Sequence, residues 1–288
     1  MPPTDAAVGA GLPPLRDVIR SFGLSARKGL GQHFLLDLNL TRRIARAAGD
    51  LTDVAVIEVG PGPGGLTRAL LESSARRVIA IERDDRCIAA LQPLVAAGGG
   101  RLTVLAEDAL AVDMAALDSG PMAVVANLPY NIATPLLLGW LAGAGRFRSL
   151  TLMFQREVAD RLVAVPGTKA YGRLSVVTQW RTRASRLFHV PPSAFTPPPA
   201  VQSTVVQLMP LADPADVDWS TVERVTQAAF GQRRKMLRHS LRSLGDAEAL
   251  LAAAALSGTD RAEDVPIDGF IALARGLEAA EAPLQDAP

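Results

Sequence analysis

Cysteine and histidine are scarce in this chain of 288 residues, which contains one cysteine and three histidines. A single cysteine, Cys87, excludes an intrachain disulfide framework and a cysteine-rich metal cluster. Three scattered histidines do not have the spacing of a zinc site, so we expect no bound metal. Long apolar runs are missing as well, and the amino terminus lacks the charged and apolar regions of a signal peptide. These absences predict a cytoplasmic protein without membrane spans.

An excess of charge of one sign is also missing, because the formal net charge is +1. With 49% hydrophobic and 20% charged residues, the composition is that of a globular protein with one large or two modest domains. The near-neutral total conceals a concentrated basic cluster close to the carboxyl terminus. A near-neutral protein does not need such a cluster for solubility, so we interpret it as an RNA phosphate-binding surface rather than a solvated helix face. Its members are Arg233, Arg234, Lys235, Arg238 and Arg242.

A cluster of glycines directly follows an apolar segment. Residues 54–59 are apolar apart from Glu58, which predicts a strand buried on both faces. Gly60 and Gly62 then begin a G-x-G-x-x-G pattern, in which the backbone turns sharply and approaches a ligand. A second apolar strand ends at Glu82, about twenty residues on, where a carboxylate can bind ribose hydroxyls. This pattern alone suits a nicotinamide dinucleotide as well as S-adenosylmethionine.

A second motif follows another apolar strand. It consists of Asn127, Leu128, Pro129 and Tyr130, and it combines a polar amide, a backbone carbonyl beside a proline, and an aromatic ring. Ligands bind at the carboxyl ends of the strands in doubly wound sheets. We therefore expect these groups to face a substrate.

Strands and helices alternate through most of the chain, which predicts an α/β fold with a mostly parallel sheet covered on both faces. A strand is expected over residues 175–180. After Pro210 the composition changes, and the remaining pattern is helical, with one helix expected over residues 235–244. The predicted divisions are an amino-terminal extension (residues 1–26), the α/β domain (27–210) and a small all-helical domain (211–288).

Seven segments in this order resemble the ribosomal RNA adenine dimethyltransferase family, in its bacterial small-subunit branch. The segments are residues 31–35, 58–67, Glu82, 107–108, 127–130, 195–203 and 230–235. The resemblance extends from about residue 15 to residue 274. It implies a Rossmann-like S-adenosylmethionine-dependent methyltransferase sheet with a helical RNA-binding domain. One departure is His33, where the family usually has asparagine.

The resemblance also implies roles for individual residues. The expected contacts with S-adenosyl-L-methionine are His33, Leu35, Gly60, Gly62, Glu82, Asp108 and Asn127. Glu82 would bind the ribose, while Asp108 would accept from the adenine amine or, equally, cap the next helix.

On the substrate side, the Asn127 oxygen and the Leu128 carbonyl would accept hydrogen bonds from the exocyclic amine of an adenine. Pro129 leaves that carbonyl free. Tyr130 would stack on the base, and Phe195, held by the prolines that follow it, would form the opposite wall.

The substrate implied by the resemblance is a pair of adjacent adenines near the 3′ end of 16S ribosomal RNA, in the immature small ribosomal subunit. We expect the enzyme to be a monomer with a role in subunit biogenesis. Three alternatives remain open at this point. They are a large-subunit adenine methyltransferase of the antibiotic-resistance type, an assembly factor that acts by binding, and a nicotinamide-dependent oxidoreductase, which would leave residues 127–130 unexplained.

Overall fold

A computed structural model describes residues 11–27, 29, 31–232 and 234–282. The chain divides into two compact units. The first comprises the chain through Ala159 together with Ser185–Pro210, and the second comprises Asp160–Ala184 together with the chain from Leu211 onward. The prediction of an extension over residues 1–26 falls partly outside the described residues, since residues 1–10 are among those not described.

The second unit differs from the predicted helical domain in one respect, because it also includes Asp160–Ala184. The physical reason is hydrogen bonding from this segment to the carboxyl-terminal helices. The buried Tyr171 hydroxyl donates to the Val265 carbonyl (2.9 Å), and Arg173 forms an ion pair with Glu223 (2.6 Å). Such contacts join residues far apart in sequence, and composition does not report them.

A seven-stranded mixed sheet forms the centre of the first unit. Its strands are β2 (Ala55–Val59), β3 (Arg77–Glu82), β4 (Leu102–Ala106), β5 (Met122–Asn127), β6 (Phe147–Gln155), β7 (Thr182–Val190) and β9 (Ser203–Pro210). The strand order is β4-β3-β2-β5-β6-β9-β7; the first five strands run parallel and β9 runs antiparallel to β6. A separate antiparallel pair joins β1 (Phe34–Leu35) to β8 (Phe195–Thr196).

Helices connect these strands and form the second unit. In chain order they are α1 (Leu15–Ser21), α2 (Leu38–Ala47), α3 (Gly65–Leu71), α4 (Asp85–Ala97), α5 (Ala133–Ala142), α6 (Arg156–Leu162), α7 (Arg173–Arg181), α8 (Trp219–Gly231), α9 (Leu237–Ser240), α10 (Ala247–Ala253) and α11 (Ile267–Glu281). Within the described ranges, no helix combines the length and apolarity that crossing a bilayer requires.

The centre of the sheet creates the place for a ligand. Every residue of β2 is buried, and β2 lies between β3 and β5, parallel to both. The chain moves outward from β2 to β4 and then returns to β5 on the other side of β2. The connections after β2 and β5 therefore diverge and leave a crevice at the carboxyl ends of these two strands. The predicted Rossmann-like fold with a helical carboxyl-terminal region is confirmed.

Two local predictions were wrong. Residues 175–180 form part of α7 rather than a strand, although their run of β-branched residues favours a strand. Ser175 and Gln179 each donate to main-chain carbonyls in residues 161–164, which fixes a helix there. The expected helix over residues 235–244 is split into α9 and a 3-10 turn over Leu241–Leu244.

Candidate active site

A cleft with about 810 Å³ of empty space lies at the crevice between the carboxyl ends of β2 and β5. The lining comes from the loop after β2, the motif after β5, and the segment that leads into β1. The predicted site residues that line it are His33, Leu35, Gly60, Gly62, Glu82, Asn127, Leu128, Pro129 and Tyr130. Phe195 and Asp108 do not line it.

The glycine loop is packed tightly between the other two walls. Gly60 and Gly62 have φ angles of 70° and 54°, which L side chains rarely adopt. A Cβ atom on Gly60 would lie 3.2 Å from the Pro129 ring, and one on Gly62 would lie 3.0 Å from the Phe34 ring. The loop thus has room for a ligand only because these positions carry no side chain.

Glu82 is held by the backbone around it. One carboxylate oxygen accepts from the Gly62 N–H (3.1 Å), and the other accepts from the N–H groups of Arg83 and Asp84 (2.9 Å each). Burial raises the pKa of Glu82, while these three hydrogen bonds oppose that shift. The carboxyl group is therefore fixed in place at the edge of the cleft.

Asn127 has a defined amide orientation. Its Nδ2 donates to the His33 carbonyl at 3.1 Å. Because a carbonyl only accepts, the nitrogen must face His33 and the oxygen must face the other way. Among the described residues, none donates to the Asn127 side-chain oxygen or to the Leu128 carbonyl. Two acceptors are thus left available beside the glycine loop.

Tyr130 and Phe195 have different environments. The Tyr130 hydroxyl shares a hydrogen bond with Ser203 (2.5 Å), and its ring lines the cleft 5.4 Å from the His33 ring. Phe195 is only 3% exposed and belongs to the hydrophobic core together with Leu35. The structure therefore places Tyr130 where a base can stack, and it places Phe195 behind the cleft, with its ring 6.4 Å from that of His33.

The imidazole of His33 contacts the proline-rich loop. Its Nδ1 lies 2.8 Å from the Pro197 carbonyl, which only accepts, so Nδ1 carries the hydrogen. The His33 side chain, which replaces the usual asparagine of the family, thus forms a hydrogen bond to this loop. The backbone carbonyl of the same residue serves Asn127.

Asp108 lies beside the cleft at the end of β4. One oxygen accepts from the Leu110 N–H (3.0 Å), and the other forms an ion pair with Arg83 (3.0 Å). Arg83 itself lines the cleft. The carboxylate therefore stabilises a turn and holds a cleft residue, whereas the sequence left open a helix cap or a cofactor contact.

Glu58 and Gln32 are among the cleft residues that had no role assigned from the sequence. Glu58 is 1% exposed, and its Oε2 has no hydrogen-bond partner among the described residues. Desolvation raises its pKa to about 8. A lone carboxyl in an otherwise apolar buried strand was the signal available in the sequence. Gln32 gave no such signal, since its importance depends on contacts with distant residues.

The predicted RNA-binding residues belong to the second unit. Arg234, Lys235, Arg238 and Arg242 are all exposed, and Arg233 lies outside the described residues. Desolvation, together with the charges of Arg242, Arg238 and Lys235, lowers the pKa of His239. The exposed cations around His239 form a concentrated positive surface, which favours phosphate groups.

Comparison with known proteins shows the family of this chain. The family model described as "Ribosomal RNA adenine dimethylase" matches residues 23–278. The chain belongs to the ribosomal RNA adenine dimethylase family. Within that family it is 63% identical to "Ribosomal RNA small subunit methyltransferase A" of Paramagnetospirillum magneticum, over 94% of this chain and 96% of the relative. The protein of the same name from Rhodospirillum rubrum is 61% identical, over 96% of this chain and 98% of that one. The family resemblance seen in the sequence is confirmed.

Solved structures show the same fold. A dimethyladenosine transferase from Plasmodium falciparum has a TM-score of 0.71 at 24% identity and covers 84% of this chain and 96% of its own. The 23S rRNA methyltransferase ErmE has a TM-score of 0.65 at 27% identity and covers 85% of this chain and 99% of its own. Membership of the family, with relatives about 60% identical that are named methyltransferases, excludes the nicotinamide-dependent oxidoreductase. The protein is an rRNA methyltransferase.

Proposed function

We propose that this protein transfers methyl groups from S-adenosyl-L-methionine to the exocyclic N6 of two adjacent adenines near the 3′ end of 16S ribosomal RNA. The substrate is the immature small ribosomal subunit, and the modification contributes to subunit biogenesis in the cytoplasm. The observation that carries the proposal is the amide orientation of Asn127, because it leaves the side-chain oxygen free beside the glycine loop. Identity of about 60% to small-subunit methyltransferases over nearly the whole chain supports the small-subunit branch.

The residues of the cleft fit this cofactor. The glycine loop offers a cradle that a Cβ atom would fill, and Glu58 offers a buried oxygen without a partner. We assign the ribose hydroxyls to Glu82 and the cofactor ammonium to Glu58, each an acceptor facing donors. S-adenosyl-L-methionine supplies a methyl group already activated on a sulfonium, so the protein has to position rather than activate it. We assign further cofactor contacts to His33, Leu35, Gly60, Gly62, Asp108 and Asn127.

The chain's own contribution to the reaction is recognition of the amine. An adenine N6 is a weak nucleophile because its lone pair is delocalised into the ring. The Asn127 oxygen and the Leu128 carbonyl each accept a hydrogen bond from the amine, which favours a tetrahedral nitrogen. These hydrogen bonds strengthen as positive charge develops on that nitrogen. Tyr130 stacks on the unstacked base, a contact worth about 1–3 kcal/mol. Pro129 has no N–H, so the peptide unit that joins Leu128 to Pro129 offers the base an acceptor and no donor.

The RNA is held outside the cleft by charge. We assign this role to Arg233, Arg234, Lys235, Arg238 and Arg242, which contact phosphates of the particle without reading a sequence. The enzyme acts as a monomer without a metal ion. Within the described ranges, no three histidine, cysteine or acidic side chains form a group able to hold a metal. Sedimentation of the free protein tests the oligomeric state, and activity in excess chelator tests the second expectation.

The test of the reaction is transfer of labelled methyl to undermethylated small subunits, with wild type beside Asn127→Ala. We expect dimethyladenosine at two neighbouring positions with wild type and a loss of at least about a hundredfold in rate with the variant. Asn39→Ala is the matched control, because Asn39 is exposed in the first turn of α2 and does not line the cleft. It should keep the full rate.

Each other result changes the assignment. Uptake of label into large-subunit RNA instead would contradict the small-subunit substrate. Transfer that is equally fast with Asn127→Ala would contradict the assigned site. If the protein bound the particle but transferred no methyl group to either RNA, it would be an assembly factor that acts by binding.

A further inference from the structure

We propose that Gln32 is a positioning residue for methyl transfer, which holds the His33 carbonyl where it orients the Asn127 amide. The inference deepens the proposed function and rests on it. Gln32 itself does not act on the base. It acts through the next residue in the chain, and its own position is set by the carboxylate of Asp84, which follows β3.

Both polar ends of the Gln32 side chain are engaged. Its Nε2 donates to the Asp84 carboxylate at 3.0 Å, and its Oε1 accepts from the Arg27 N–H at 3.0 Å. A carboxylate only accepts and a backbone N–H only donates, so this amide has a single orientation. The Gln32 side chain is therefore held between Asp84, just after β3, and Arg27, in the segment that precedes Gln32.

Asp84 is a rigid anchor for this clamp. It is 4% exposed, and the Arg86 guanidinium donates to both of its oxygens (3.0 and 2.7 Å). This fork keeps the pKa of Asp84 well below its usual range, so the carboxylate is ionised at neutral pH. Its own N–H donates to Glu82 (2.9 Å), the residue assigned to the ribose. The anchor is thus tied to the cofactor side of the site.

The effect of the clamp reaches Asn127 through one peptide unit. His33 follows Gln32, and its carbonyl is the acceptor for the Asn127 Nδ2. On the other side of His33, Phe34 begins β1 and pairs with Thr196. His33 is therefore held at both ends, by the Gln32 side chain and by a strand. Release of the first end frees the carbonyl to move and removes the reason for the Asn127 oxygen to face the base.

A residue that only holds a loop in place would affect catalysis with or without Asn127. A residue that acts by orienting Asn127 has no effect once that side chain is removed. A double-mutant cycle separates the two, since effects through a shared group are not additive. The substitution is Gln32→Leu, which keeps much of the volume and removes both hydrogen bonds.

The cycle compares wild type, Gln32→Leu, Asn127→Ala and the double variant. The readout is the single-turnover rate of the first methyl transfer to undermethylated small subunits at saturating S-adenosyl-L-methionine. We expect Gln32→Leu to slow transfer about tenfold or more in the wild-type background and less than about twofold in the Asn127→Ala background. Cofactor affinity, measured by calorimetry, should change by less than about threefold, because both hydrogen bonds of the Gln32 amide are made to other protein groups.

The matched control is Gln92→Leu. Gln92 is exposed on α4, and its amide donates to the Ile88 carbonyl one turn back (3.2 Å). It should leave the transfer rate and the cofactor affinity unchanged. An equal loss from Gln32→Leu in both backgrounds, or no loss in either, overturns the proposal.

A second measurement does not depend on the reaction. The chain contains three asparagines, so selective ¹⁵N labelling gives a simple spectrum of side-chain amides. The Asn127 amide hydrogens should exchange slowly in wild type and faster in Gln32→Leu, while those of Asn39 stay the same. Equal exchange of Asn127 in the two proteins overturns the proposal even if wild type methylates no ribosomal particle, in which case the proposed function fails separately.

Discussion

The hydroxyl oxygens of Tyr130 and Ser203 lie 2.5 Å apart and share one hydrogen bond. Tyr130 follows β5, whereas Ser203 begins β9, which is two strands away in the sheet. Ser203 is fully buried, so its hydroxyl has no access to bulk water. The bond therefore fixes the plane that the Tyr130 ring presents to the cleft.

Replacement of Ser203 tests this relationship. We expect Ser203→Ala to lower kcat/KM for the small subunit by about fivefold, because a hydrogen bond of this kind contributes about 1 kcal/mol. Affinity for S-adenosyl-L-methionine should stay the same. Tyr130→Phe should show a similar loss, and the double variant should lose no more than either single one, since both remove the same bond. Ser185→Ala, on the exposed strand β7, is the control, and additive losses would contradict the idea.

Close packing against β1 makes a second prediction. A Cβ atom on Gly65 would lie 2.6 Å from the Leu35 carbonyl oxygen, so Gly65→Ala must displace backbone beside the cleft. We expect a loss of about 1–3 kcal/mol in the free energy of unfolding and at least about tenfold weaker binding of S-adenosyl-L-methionine. Urea unfolding and calorimetry measure the two effects.

The matched substitution for that test is Gly139→Ala in α5, where a Cβ atom would meet nothing within 4 Å. It should leave cofactor binding unchanged and stabilise the helix by about 0.5–1 kcal/mol. Equal behaviour of the two alanine variants would show that the contact between the glycine loop and β1 is unimportant.

The buried Glu58 carboxyl predicts a pH dependence of stability. Burial raises its pKa to about 8, so between the unfolded value near 4.5 and about 8 the folded state keeps a proton that the unfolded state has lost. The free energy of unfolding therefore falls as the pH rises through this window, by at most about 1.4 kcal/mol per pH unit. Glu58→Gln removes the contribution of Glu58 to this dependence.

The measurement is urea unfolding of wild type and Glu58→Gln at several pH values without cofactor. The variant should match wild type near pH 4.5 and become progressively more stable than wild type toward pH 8. The pKa of Glu82 is also raised, but that residue is present in both proteins and cancels in the comparison. A stability difference that is constant with pH would contradict the burial argument.

Salt dependence tests the assigned RNA surface. Arg238 is exposed in α9 and adds to the positive charge around His239. We expect Arg238→Gln to weaken binding to small subunits and to reduce the slope of log affinity against log salt by about 0.7 to 1, the contribution of one phosphate contact. Arg16→Gln, an exposed arginine of α1, is the control and should leave the slope unchanged. An unchanged slope for Arg238→Gln would exclude a phosphate contact there.

Much of the site could be predicted because its chemistry is local in the chain. The turn at Gly60 and Gly62, the acid at Glu82 and the amide at Asn127 each directly follow or end an apolar strand. Parallel strands bring their carboxyl ends to one edge, so residues about twenty and about seventy positions apart were expected to meet there. The line of reasoning needed only periodicity, glycine conformation and the rule for doubly wound sheets.

Other features depended on contacts that no local pattern encodes. Residues 175–180 favour a strand by their β-branched side chains, and hydrogen bonds to the end of α6 make them helical. Phe195 was expected in the cleft, but pairing of β8 with β1 places its ring in the core. Neither outcome could be obtained from the segments alone, because each depends on a neighbour distant in sequence.

The sequence by itself determined the fold class, the family and the edge of the sheet at which the site lies, since strand pattern and glycine spacing carry that information along the chain. Only the tertiary structure decided how the amides are oriented. The Asn127 nitrogen faces the His33 carbonyl, and Gln32 faces Asp84, because hydrogen-bond donors and acceptors from separate segments meet there. The orientation of a side-chain amide follows from its hydrogen-bond partners, and those partners are brought together only by the tertiary structure.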